Sequence, residues 1–146
     1  MIRLPKDFSE FLKLLNSKQV EYLLIGGWAV GYYGYPRATG DMDIWVSRQK
    51  ENALKLTSVF KEFGFDVPDL STEIFTKEDQ ITRIGVPPLR IEILTTISGV
   101  TFEECFPKRK VAVIDDIKIN LISLEDLKKN KAASKRHRDL DDLEKL

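Results

Sequence analysis

Two short runs of residues in the first third of the chain have the types and spacing that bind a metal ion and a phosphate. Gly26-Gly27 follows an apolar run, and Asp41 and Asp43 flank the apolar Met42 further along. Alternate side chains of a strand share a face, so the two aspartates would point the same way. Neighbouring carboxylates resist joint ionisation unless a cation lies between them, and Mg²⁺ prefers oxygen ligands. The glycine pair can open a helix whose first N–H groups face a nucleotide phosphate. These residues predict a metal-dependent enzyme acting on a nucleotide.

Glu92 is the best candidate for a third carboxylate, because it lies in the otherwise apolar run Ile91-Glu92-Ile93-Leu94 and would need a partner there. A neighbouring strand would bring it beside Asp41 and Asp43. Three carboxylates can hold two metal ions about 4 Å apart, which favours two Mg²⁺ ions with all three acids as ligands. Two alternatives stay open. The aspartates could be surface residues of an exposed strand, and Glu92 could form a salt bridge with Arg90.

Several basic and polar residues are candidates for holding the phosphates. Arg37 and Thr39 precede the aspartates and could either touch a triphosphate or be structural. Lys131 lies in a basic segment and, with Arg136 or Arg138, could hold a phosphate while Asp139 orients one of them. The other interpretation of that segment is a solvated helix face, and contact with an RNA backbone also stays open. No Walker-type lysine follows Gly26-Gly27, so a P-loop is not supported.

The composition is typical of a soluble globular chain. The 146 residues predict one domain, 1–146, and 23 basic residues balance 23 acidic ones, so the net charge indicates no nucleic-acid partner. Cys105 is the one cysteine, which excludes an internal disulfide and favours a reducing compartment. The N-terminus lacks the pattern of a signal peptide, and no apolar run approaches membrane-spanning length. We therefore expect a cytoplasmic protein with no membrane partner.

Hydrophobic periodicity predicts alternating helices and strands. Asp7 and Glu10 form a capping-box pattern at the first helix, as do Ser123 to Asp126 at a later one, and the last helix has Leu140 and Leu143 as its apolar positions. The predicted helices cover 7–17, 28–33, 49–63, a segment from about 124 into the lysines, and 138–146; the predicted strands cover 21–25, 40–46, 81–86, 89–94, 111–114 and 117–121. This order predicts a mixed α/β (α+β) fold with a single mixed sheet and helices packed on it.

With these residues in hand, the chain resembles the nucleotidyltransferase superfamily, also called the polymerase-beta-like fold. The family pattern is a glycine followed by glycine or serine, an aspartate-apolar-aspartate strand, and a third acid on a later strand; Gly26-Gly27, Asp41-Met42-Asp43 and Glu92 match it in order. From about Val20 onward the chain is similar to a small prokaryotic branch related to abortive-infection nucleotidyltransferase toxins. The segments that carry this second resemblance are 90–95, 97–102, 122–127, 130–133 and 138–143.

The resemblance implies transfer of a nucleoside monophosphate from an NTP to a hydroxyl acceptor with Mg²⁺. The acceptor would be a tRNA end, a protein side chain or a small molecule, and a cognate antitoxin or toxin partner is implied. Lys131 and Asp139 match positions that support activity in the toxin relatives. Two departures from the family pattern are Gly27, where many relatives have serine, and Glu92, where aspartate is more common. The rival hypothesis is a non-catalytic nucleotide- or RNA-binding module.

Overall fold

A computed structural model describes residues 4–34, 40–64, 71–86 and 89–146. The helices and strands alternate along these residues much as the periodicity predicts. In chain order they are helix α1 (Lys6–Ser17), strand β1 (Tyr22–Ile25), helix α2 (Gly26–Tyr33), strand β2 (Asp41–Val46), helix α3 (Lys50–Phe63), strands β3 (Ile81–Val86) and β4 (Leu89–Leu94), helix α4 (Phe102–Cys105), strands β5 (Lys110–Ile114) and β6 (Ile117–Leu121), and helices α5 (Leu124–Ser134) and α6 (His137–Lys145).

The six strands form one mixed sheet in the order β3-β4-β2-β1-β6-β5. The hairpins β3–β4 and β5–β6 are antiparallel, as is the pair β1–β2, whereas β2 pairs with β4 and β1 pairs with β6 in parallel. Asp115 and Asp116 form the turn between β5 and β6, with φ angles of 52° and 65°. The parallel pairing of β2 with β4 places the two central acidic strands side by side.

Helix α1 packs on α3 through aromatic side chains of its buried stripe. The ring of Phe11 lies 5.9 Å from that of Phe60, which in turn lies 5.2 Å from that of Phe75. The buried Asn52 of α3 fixes where β1 begins and β2 ends: it accepts from the Glu21 N–H at 2.6 Å and donates to the Ser47 carbonyl at 3.0 Å. This packing holds β2 rigidly beside β1, so the aspartates of β2 project from a fixed support.

Two details of the predicted helices are wrong. Asp7 caps nothing, because α1 begins one residue earlier with Pro5 at its N-cap, and Asp7 lies in the first turn. Helix α6 does not bury Leu140, which is 40% exposed, but buries Asp139 and Asp142. The second capping pattern is confirmed, since the Ser123 hydroxyl accepts from the Asp126 N–H. Among the described residues, no helix is both long enough and apolar enough to cross a membrane.

Candidate active site

The three candidate carboxylates lie together on β2 and β4. Strand alternation puts Asp41 and Asp43 on one face of β2, while the intervening Met42 is fully buried on the other. The parallel register makes Asp43 and Glu92 direct neighbours across the two strands, and Asp41 the neighbour of Arg90. The structure therefore brings Glu92 beside the two aspartates, as its sequence context predicts. We refer to Asp41, Asp43 and Glu92 as the acidic wall.

Asp43 is the most perturbed group of the acidic wall. Burial, followed by a hydrogen bond and charge repulsion from Glu92 and repulsion from Asp41, raises the pKa of Asp43 from 3.8 to about 7, although Lys131 opposes the shift. Its Oδ1 atom is buried and has no hydrogen-bond partner among the described residues. A buried carboxylate oxygen without a hydrogen-bond partner is unfavourable, and a bound cation would supply such a partner.

Arginines neutralise the other two acids. The Arg90 Nη2 atom lies 3.1 Å from both Asp41 Oδ2 and Glu92 Oε1. Arg83, which faces Glu92 across the β3–β4 pair, places its Nε 3.1 Å from the same Oε1 atom. The salt bridge between Arg90 and Glu92 that the sequence left open is thus present. Arg83 was not predicted; its signal was the alternation of Ile81 and Arg83 on a strand that forms a hairpin with the strand of Glu92.

Gly26 is required where α2 begins beside the acidic wall. Its φ angle is +68°, and a Cβ atom there would collide with the carboxylate of Asp43. Glycine is therefore needed both for the backbone conformation and for the close approach of Asp43. The predicted helix after Gly26-Gly27 starts at Gly26 itself, two residues earlier than expected. Binding of a phosphate by the glycine pair stays a prediction.

A second group of charges faces the acidic wall from α5 and α6. Lys131 is only 7% exposed, and its Nζ lies 2.8 Å from Asp139 Oδ1 and 3.3 Å from Asp142 Oδ2. Burial alone would raise the pKa of Asp139, but hydrogen bonds from Lys131, Ser134 and Arg136 together with the charge of Lys131 hold it at about 2. Asp139 thus orients both Lys131 and Arg136. We call Lys131, Arg136 and Arg138 the basic wall.

A cavity with a volume of about 520 Å³ separates the acidic wall from the basic wall. It also has apolar lining from Ile81 and Leu94, which were not predicted. Every predicted site residue of the described part lines it: Gly26, Gly27, Asp41, Asp43, Glu92, Lys131 and Asp139. Arg37 and Thr39 lie outside the described residues. The cavity joins oxygen donors on one side to cations on the other, which suits a ligand combining a metal ion with an anionic chain.

The chemistry of the acidic wall fits a hard divalent ion. Carboxylate oxygens are the donors that Mg²⁺ prefers, and the unpartnered Oδ1 of Asp43 is an available one. Among the described residues, however, no group of three acidic, histidine or cysteine side chains is already arranged to hold a metal ion. The guanidinium of Arg90 lies between two of the three carboxylates, so these acids would have to exchange that partner for the ion.

Comparison with known proteins agrees with the fold and with the family that the sequence resembles. The chain superposes on a crystal structure of a Thermotoga maritima protein provisionally assigned as a nucleotidyltransferase, with a TM-score of 0.63 and 19% identity over 94% of this chain and 88% of that chain. At this identity the likeness concerns the fold alone. Among curated proteins no relative matches. The family model described as "Nucleotidyl transferase of unknown function (DUF2204)" matches residues 5–146, and the chain therefore belongs to that nucleotidyltransferase family.

Proposed function

We propose that the protein is a Mg²⁺-dependent nucleotidyltransferase that moves a nucleoside monophosphate from an NTP to a hydroxyl acceptor. The observation that carries this proposal is the state of Asp43, which is buried beside Glu92 with an unpartnered Oδ1 atom and a pKa raised to about 7. Such a group is costly unless a ligand uses it. Membership of the nucleotidyltransferase family supports the same reaction class.

Each wall of the cavity has a part in this reaction. Asp41, Asp43 and Glu92 would hold Mg²⁺, which when bound neutralises charge on the phosphates. The basic wall faces the same space, where the exposed Arg136 and Arg138 can contact the triphosphate. The acceptor oxygen attacks the α-phosphorus, pyrophosphate leaves, and Glu92 takes the proton of the acceptor hydroxyl. Positioning and charge neutralisation supply most of the rate enhancement.

The proposed classes of acceptor come from the family resemblance and not from the lining of the cavity. A tRNA end, a protein side chain and a small molecule all offer the hydroxyl that the reaction needs. The resemblance to the toxin branch makes RNA and protein the acceptors to test first, and it makes a cognate antitoxin or toxin partner part of the proposal. Co-purification of a second small protein with this chain would support that part.

A second candidate is a nucleotide- or RNA-binding module without catalysis. It is favoured by the contacts of Arg90 and Arg83, which already neutralise Asp41 and Glu92 without any metal. Such a protein would bind an anionic ligand on the basic wall and would turn nothing over. The two candidates differ in whether the protein transfers a nucleotide at all, and only the transferase would need Asp43 for that transfer.

The test is a labelling assay with the purified protein, Mg²⁺, each α-labelled NTP in turn, total tRNA and a cell lysate. Asp43→Asn removes the carboxylate whose Oδ1 has no hydrogen-bond partner among the described residues, and the matched control Asp116→Asn makes the same change in the exposed β5–β6 turn. Label on an RNA or protein band with wild type and Asp116→Asn, but not with Asp43→Asn, would support the transferase. Binding of an NTP or of tRNA in calorimetry, with or without Mg²⁺ and without transfer, would favour the binding module. Absence of both would contradict the two candidates.

A further inference from the structure

Arg90 occupies the centre of the acidic wall. It lies opposite Asp41 in the β2–β4 register, and one atom, Nη2, reaches both Asp41 and Glu92 at 3.1 Å. The side chains of Arg90 and Glu92 are 27% and 15% exposed, so these contacts are partly shielded from water. A guanidinium in this position supplies the positive charge that a divalent ion would otherwise bring to the same oxygens.

The guanidinium of Arg90 uses only part of its hydrogen-bonding capacity. Its Nε atom is buried and has no hydrogen-bond partner among the described residues, so only part of the planar donor group is used. An unsatisfied buried donor makes this arrangement less favourable than a fully paired arginine would be. Arg83 differs, because its side chain is 53% exposed and, within the described part of the chain, its ion pair is with Glu92 and not with Asp41. Arg90 is thus the cation that bridges two candidate ligands, and its position there is only partly secured.

We infer that Arg90 is an internal counter-ion that competes with the divalent metal ion for Asp41 and Glu92, so that metal binding requires its guanidinium to release both acids. The inference rests on the proposed function, since it concerns the same metal site. Among the described residues, no arginine or lysine forms an ion pair with Asp43, whose Oδ1 offers the first oxygen to an incoming ion. The opposite role, in which Arg90 positions the carboxylates for the metal, makes the opposite prediction for metal affinity.

The experiment measures Mn²⁺ affinity by electron paramagnetic resonance, with no nucleotide present. Arg90→Gln removes the competing charge while keeping a polar side chain, and we expect it to bind Mn²⁺ about tenfold more tightly than wild type, as for the loss of one charge-assisted contact. Arg83→Gln is the matched control, since it removes a more exposed guanidinium from Glu92 only. We expect its affinity to change about twofold or less.

Asp43→Asn locates the bound ion. It should weaken Mn²⁺ binding both in the wild-type and in the Arg90→Gln background. If Mn²⁺ does not bind, or binds regardless of Asp43, the metal site of the proposed function fails and the inference fails with it. If Mn²⁺ binding depends on Asp43 but Arg90→Gln leaves the affinity unchanged or weakens it, the inference alone is overturned.

A second measurement uses the wild-type protein and does not depend on the folding of any variant. The side-chain ¹H–¹⁵N resonance of Arg90 should shift when Mg²⁺ is added, because the guanidinium loses its carboxylate partners. A resonance that stays unchanged at saturating Mg²⁺ would overturn the inference.

Discussion

The two walls of the cavity carry opposite charges, but they differ more in how far those charges are satisfied. In the basic wall, the buried Lys131 has two carboxylate partners, Asp139 and Asp142, which balance its charge within the fold. In the acidic wall, Asp43 is left with an unpartnered oxygen and a pKa raised to about 7. The contrast teaches that the charge of Lys131 is balanced within the fold, whereas one oxygen of Asp43 has no partner among the described residues.

The largest effect on stability is expected from removing Lys131, the buried cation of the basic wall. Lys131→Met removes the buried cation that Asp139 and Asp142 share, and loss of one partner of a buried ion pair costs about 3–5 kcal/mol of unfolding free energy. Urea unfolding at pH 7 measures this loss. Arg136→Gln is the control, because Arg136 contacts the same Asp139 but is 80% exposed, and it should cost about 0.5 kcal/mol. Equal losses of unfolding free energy in the two variants would contradict the conclusion that the buried ion pairs of Lys131 matter more for stability than the exposed ion pair of Arg136.

Removing the carboxylate of Asp43 from the acidic wall should instead raise the free energy of unfolding at high pH. Because the pKa of Asp43 is raised from 3.8 to about 7, its stabilising contribution is complete below pH about 4 and is lost as the pH rises through about 7. Asp43→Asn should therefore be more stable than metal-free wild type at pH 8, by about 2–4 kcal/mol, with little difference near pH 4.

Urea unfolding of both proteins in EDTA, at several values between pH 4 and pH 8, checks this prediction. A stability difference that is independent of pH would show that Asp43 is not the group that titrates. Addition of Mg²⁺ at pH 8 should stabilise wild type and leave Asp43→Asn unchanged.

The smallest effect on stability is expected for Gly26, and it tests why this position requires glycine. Gly26→Ala and Gly64→Ala both place a side chain at a positive φ angle, but the new Cβ at Gly64 meets nothing within 4 Å, whereas that at Gly26 meets the carboxylate of Asp43. We expect Gly26→Ala to be less stable than Gly64→Ala by about 1–2 kcal/mol, since both share the backbone strain and one adds a collision. Thermal unfolding followed by circular dichroism measures the difference. Equal midpoints would mean that Asp43 moves away freely.

Local patterns were enough to predict most of the fold. Strand alternation and apolar runs gave the six strands and the single mixed sheet, and Gly64 ends α3 with a φ angle of +103°, as a glycine at that position predicts. The start of α1 failed because Pro5, rather than Asp7, occupies the N-cap. Apolar periodicity failed for α6 because the side chain beneath it is the charged Lys131, which draws Asp139 and Asp142 inward and leaves Leu140 exposed.

The candidate site was predictable in its residues but not in their partners. The aspartate pair, Glu92 and Gly26 were visible because their types are unusual in apolar runs. The partners of these acids depend on strand register, which no local pattern specifies: Arg83 reaches Glu92 only through the β3–β4 pairing. The choice between the salt bridge of Arg90 and a metal ion was open for the same reason, since both use the same oxygens.

The parallel pairing of β2 with β4 also makes the acidic wall informative about folding. Asp43 and Glu92 are far apart in sequence, so their repulsion arises only once these two strands have met. If the folding rate falls as the pH rises through about 7, Asp43 is already buried beside Glu92 in the transition state; if only the unfolding rate rises, this burial comes later. The same acids that line the cavity therefore record when β2 and β4 come together during folding.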